Sequence, residues 1–82
     1  MYQPMMTYNE HYRNIRKASS LVSKAISECD LSLKEFKLLH SKLSFLIENL
    51  NYWSAYGNKF RYHYDLKHFT LWVLKTFSEE GN

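Results

Sequence analysis

The sequence predicts an all-α fold, a small helical bundle built from a long antiparallel helix pair plus a shorter C-terminal helix. Three observations predict it. Apolar residues recur at alternating spacings of three and four along two long stretches. Each stretch opens on a Ser/Thr-x-x-Glu capping box. Two glycines and one proline are too few for a sheet protein made of tight turns, and the 45% of hydrophobic residues argues equally against disorder.

The stretch from Ser32 to Gly57 carries the clearest pattern. Phe36, Leu39, Leu43, Leu46, Leu50 and Trp53 form one apolar stripe about six turns long. Ser32 and Glu35 form its capping box, and Gly57 stands where a helix ends on a left-handed residue. The helix before it is predicted over Tyr8–Cys29, behind the capping box of Thr7 and Glu10. Its stripe is Tyr8, Tyr12, Ile15, Ser19, Val22, Ile26 and Cys29, widened by Ala18, Leu21 and Ala25. Asp30-Leu31 leaves so short a connection that the two helices should fold back on one another as a hairpin.

Beyond Gly57, the run Lys59-Phe-Arg-Tyr-His-Tyr64 alternates polar and aromatic residues, a period that suits a strand. A lone strand could pair only with a copy of itself, so the run reads instead as an ordered connection or the first turn of a third helix. That helix is predicted with Asp65 as cap and with Leu66, Phe69, Val73 and Thr76 or Phe77 on its inner face, Trp72 beside them, ending near Ser78. Residues 1–6 and 79–82 read as tails of a single 82-residue domain.

Composition narrows the function classes. One cysteine, Cys29, cannot form an internal disulfide, and the first residues lack a basic segment followed by an apolar run, so a cytoplasmic chain without a leader is expected. No window is apolar for long enough to span a bilayer, which predicts no membrane insertion. No enzyme is expected. Cys29 falls at a helix end, where the dipole disfavours a thiolate; the carboxylates are scattered; no Gly-rich phosphate loop is present. His11, His40, His63 and His68 have no metal-ligand spacing and read as surface or cap residues, so no cofactor or metal is expected.

Two interaction surfaces remain. Leu38, Phe45 and Tyr52 recur every seven residues, about 100° round the central helix from the main stripe. With Trp72 nearby and Tyr56, Phe60, Arg61, Tyr62 and Tyr64 as rim, they form the predicted contact set for a protein partner, or for a second copy in a homo-oligomer, a dimer. A third helix lying over that line would make it core instead. The alternative is a nucleic-acid binder using Arg13, Arg16, Lys17, Lys24, Lys59, Arg61 and Lys67, consistent with the net charge of +3.

Leu31-Ser32-x-x-Glu35, with Ser41 and Leu50 downstream, resembles the Hha-type modulators that partner nucleoid proteins. Most of the match is the capping box, the pattern departs after Leu50, and no residue role is carried over. Small size and a composition rich in Lys, Asn, Tyr and Phe are also similar to small regulators of large lytic phages, antiholins and host-protein inhibitors among them. The function expected from the sequence is therefore a small non-catalytic regulator acting through protein–protein interaction.

Overall fold

Thr7 starts the first helix: its hydroxyl accepts from the Glu10 amide at 3.1 Å while the Glu10 carboxylate accepts from the Thr7 amide at 3.3 Å. The computed structural model describes residues 7–77, in which three helices follow: α1 (Tyr8–Glu28), α2 (Leu33–Tyr56) and α3 (Lys59–Phe77). The all-α bundle expected from the sequence is what the chain forms. The two tails and the end of the third helix at Ser78 lie outside the described residues.

The Ser32 box starts α2 as the sequence requires, with Glu35 amide to Ser32 hydroxyl at 3.2 Å and Ser32 amide to Glu35 carboxylate at 2.9 Å. These bonds to Ser32 hold the Glu35 carboxyl below the usual carboxylate range. Gly57 ends α2 in the left-handed region (φ 72, ψ 22). Its amide donates to Ser54 O at 3.2 Å and the Asn58 amide to Trp53 O at 2.9 Å, the paired bonds of a Schellman motif. A side chain on Cβ at this φ would be strained, so only glycine turns the chain here without penalty.

The third helix begins earlier than the sequence suggested. Asn58, not Asp65, is its cap: the Asn58 side-chain oxygen accepts from the Arg61 amide at 3.0 Å and its carbonyl from the Tyr62 amide at 3.1 Å. The alternating run from Lys59 to Tyr64 is therefore helix from its first residue. Asp65 sits inside α3 and accepts the Trp53 indole N–H at 2.7 Å.

Cross-helix pairs set the topology. Trp53 meets Asp65 and Lys42 meets Trp72, so α2 and α3 run antiparallel. His11 meets Tyr62 and Cys29 meets Phe77, so α1 runs parallel to α3. Each helix packs on both others, most extensively α2 on α3. The core is Ala18, Val22 and Ala25 from α1, Leu39, Leu46 and Leu50 from α2, and Tyr62, Phe69, Val73 and Phe77 from α3. Two small residues on α1 allow close approach, and the buried line is accordingly rotated from the predicted one. It runs His11, Ile15, Ala18, Val22, Ala25, Cys29, while Tyr8 and Tyr12 face outward. Cys29 is half-buried, and its thiol donates to Phe77 O at 2.6 Å, tying the far ends of α1 and α3.

Leu50 has no exposed surface. Leu50→Ala is expected to cost about 2–5 kcal/mol, a large part of the stability of so small a fold. Gly57→Ala is expected to cost about 1–2 kcal/mol through the left-handed turn alone. Urea denaturation measures both; a Gly57→Ala variant as stable as the parent contradicts the turn assignment.

Candidate functional site

The second apolar line of α2 is not covered by α3. Leu38, Phe45 and Tyr52 are 45%, 64% and 52% exposed, and Tyr56 continues the line one turn on. These side chains project from the flank of α2 that α1 and α3 leave open, because the Leu39/Leu46/Leu50 stripe already occupies both neighbours.

Across from this line, α3 contributes Trp72, His68 and Asp65. Together with Lys42, Phe45 and Asn49 they line a groove of about 350 Å³ whose floor is the buried pair Leu46 and Phe69. Phe45 and Trp72, the residues that the sequence placed in one contact set, do share this groove. Lys42 Nζ stands 5.2 Å above the Trp72 ring. At the turn end, Arg61 lies 5.3 Å from the Trp53 ring and 5.7 Å from the Tyr64 ring, and Tyr64 leans on His68 at 4.2 Å. The Tyr52 and Tyr56 rings meet at 4.5 Å, and the Tyr56 hydroxyl raises the Tyr52 phenol above its ordinary value. The face thus combines apolar rings with cations held over them.

Two predicted rim residues stand elsewhere. Tyr62 is fully buried, because α3 starts at Lys59 and that register turns position 62 inward with Leu66, Phe69, Val73 and Phe77. It is core, not rim. Phe60 is 76% exposed but belongs to the outer side of α3, in line with Lys67, Leu71 and Leu74, and Tyr64 stands between that line and His68. This outer line on α3 was missed from sequence. Its signal was the Phe60/Lys67/Leu71/Leu74 spacing, hidden because the inner and outer lines interleave.

The cations proposed for nucleic acid fall into separate groups. Arg13, Arg16, Lys17 and Lys24 line a shallow depression on α1 with Ser20 and Leu21, and no carboxylate lines it. Lys59, Arg61 and Lys67 are exposed on α3 and take no part in that depression.

Sequence reasoning also overlooked the junction beneath Tyr62. The His11 ring reaches Tyr62 Oη with Nδ1 at 2.8 Å and Asn51 Oδ1 with Nε2 at 2.7 Å, and Asn14 Nδ2 donates to Tyr62 Oη at 3.3 Å. Asn51 offers a carbonyl, so Nε2 carries the proton and the Tyr62 hydroxyl donates to Nδ1. This chain of bonds joins all three helices, α1 through His11 and Asn14, α2 through Asn51 and α3 through Tyr62. His11 precedes Ile15 by four residues and Ala18 by seven, and that spacing was the available signal. Among the described residues no group of three or more His, Cys, Asp or Glu is placed to hold a metal ion.

No family model matches the chain. No curated protein matches it. No solved structure matches it. The resemblance to Hha-type modulators rests on Leu31, Ser32, Glu35, Ser41 and Leu50 alone, and Ser32 and Glu35 are accounted for by capping α2.

Burial raises the Tyr62 phenol above the ordinary 10.0, with the Glu10 charge adding to it and the Asn14 bond opposing. The folded chain holds this proton more tightly than the unfolded chain. That stabilisation is complete below about pH 10 and is lost as pH rises through the folded value. Ultraviolet titration combined with denaturation should show Tyr62→Phe losing less stability above pH 10 than the parent. A double-mutant cycle of His11→Phe with Tyr62→Phe should give a coupling of about 1 kcal/mol at neutral pH; additive losses contradict the hydrogen-bond chain.

Proposed function

We propose that the chain is a small non-catalytic regulatory protein that acts by binding another protein through the open α2–α3 face. The observation that supports this reading is the pairing of Phe45 and Trp72 across one groove, extended by the exposed line Leu38, Tyr52 and Tyr56. Aromatic rings and arginine are the side chains that most often anchor interfaces, and a contiguous exposed patch of this kind on a small chain marks a contact surface. The side chains already stand in packed helices, so binding need not order them first.

A second reading is favoured by one observation of its own, the α1 depression lined by four cations and no carboxylate. Such a stripe can meet a phosphate backbone, and its affinity would fall steeply with salt.

Phe45→Asp separates the readings. Because Phe45 is exposed, the variant should keep the helical circular dichroism and thermal midpoint of the parent while losing capture of the partner from the native source. Unfolding of this variant would show that Phe45 is core and would remove the basis of the proposal. Electrophoretic retardation of DNA or RNA with a log–log salt slope of about −3 to −4, as four phosphate contacts require, and insensitive to Phe45→Asp, would establish the second reading instead.

A further inference from the structure

Resting on the phosphate-binding reading of α1, the rings at the start of that helix point to the form of nucleic acid it takes. We infer that the outer face of α1 is a site for single-stranded nucleic acid. Phosphates run along Arg13, Arg16, Lys17 and Lys24, and unpaired bases stack on Tyr8 and Tyr12. At about 100° per residue, the line of α1 opposite the buried Ala18 and Val22 passes through Arg13 and Ser20. Arg16 lies on one side of that line and Lys17 and Lys24 on the other, and all four cations are exposed. The acids of α1 stand at its two ends: Glu10 accepts from the Thr7 amide in the capping box, and Glu28 is the last residue of the helix. Between them the chain has four Lys and Arg and no Asp or Glu, so the face keeps one sign along its length. Ser20, Ser23 and Ser27 are exposed on the same face, small hydroxyls that let a phosphate backbone approach.

The rings supply what a charged face alone lacks. Tyr8 is 79% exposed and Tyr12 51%, their ring centroids are 6.2 Å apart, and the two planes are within 10° of parallel. The Arg16 guanidinium lies 5.7 Å from the centre of the Tyr12 ring. Tyr8, Tyr12 and Arg16 follow one another at spacings of four, so rings and cations form one strip. From Tyr8 to Lys24 that strip is about 24 Å long. Open aromatic faces beside a cationic track are what a single strand uses, because its bases are free to stack. A duplex keeps its bases paired and would meet the cations with its backbone while leaving both rings unused. A lipid surface is the poorer ligand too: the cationic depression offers Leu21 as its one aliphatic side chain, and Leu21 is half-buried.

The test is fluorescence anisotropy of the full chain with labelled DNA and RNA oligonucleotides of about 12 nucleotides, single-stranded and as duplexes of the same sequence. The single strands should bind about tenfold more tightly than the duplexes. Four phosphate contacts on a single strand give a log–log salt slope of about −3, and Lys17→Gln should make it shallower by about 0.7. Tyr12→Ala should weaken single-strand binding by about tenfold, leave the slope unchanged and leave duplex binding unchanged. Tyr8→Ala supplies a second ring variant should Tyr12→Ala fail to keep the circular dichroism of the parent. Phe45→Asp, on the opposite helix pair, should change none of these values. Duplexes bound as tightly as single strands, with no effect of either ring variant, overturn the single-strand inference and leave the phosphate-binding reading of α1 standing. Absence of binding to any oligonucleotide, or binding indifferent to Lys17→Gln, overturns both. Tighter binding to phosphatidylglycerol vesicles than to the oligonucleotides assigns the face to a lipid surface, and displacement of the single strand by an equal charge of polyglutamate assigns it to acidic protein. Either result overturns the inference.

Discussion

The two-residue turn at Gly57 and Asn58 decides how the rest of the molecule is arranged. Gly57 takes the left-handed conformation that closes α2, and Asn58 then caps α3 with no intervening loop. A connection this short leaves α3 no choice but to run back along α2. It also sets the rotation of α3 about its own axis. With the helix starting at Lys59, Tyr62 turns into the core while Arg61, Tyr64, His68 and Trp72 fall on or beside the flank next to α2. A start at Asp65 would have left Tyr62 in a loop. Fold and surface therefore follow from one glycine and one asparagine.

Burying Tyr62 creates a requirement of its own. A hydroxyl fully removed from water must find partners, and leaving it without them costs about 1–3 kcal/mol. The His11 and Asn14 side chains of α1 meet that requirement, and Asn51 of α2 completes the chain through the other His11 nitrogen. At the opposite end, the Cys29 thiol and the Phe77 carbonyl join α1 to α3. Between these two polar fastenings α1 buries Ala18, Val22 and Ala25 against the other two helices.

Legibility in the sequence followed how local each signal was. The bounds of α2 and the buried Leu39/Leu46/Leu50 part of its stripe could be read because cap, stripe and stop sit within one stretch, whereas Phe36, first on the predicted stripe, is exposed. The start of α3 could not. Asp65 precedes an apolar run and has the chemistry of a cap, while the true cap, Asn58, precedes six residues whose rings lie on both sides of the helix. Tyr62 points inward, Phe60 and Tyr64 outward, and their interleaving produces a false period of two. On α1 the large residues Tyr8 and Tyr12 attracted the stripe, yet the crowded junction favours His11, Ala18 and Ala25. Size in sequence is a poor guide where three helices converge. The site was legible in part for the same reason: Leu38, Phe45 and Tyr52 sit on one helix at a regular spacing, whereas their relation to Trp72 depends on the turn and the register of α3.

Three helices of about twenty residues can enclose only one stripe on each. Both α2 and α3 carry a second, and the bundle leaves those outward. In the isolated chain the α2 line is open while Tyr62 is closed. Nuclear magnetic resonance with a soluble paramagnetic probe reads this directly, ring by ring. Phe45, Tyr52 and Tyr56 should be strongly broadened at every protein concentration, and Tyr62 and Leu50 should be untouched. Protection of Phe45 and Tyr52 that disappears on dilution, or broadening of Tyr62 in the folded chain, would contradict it.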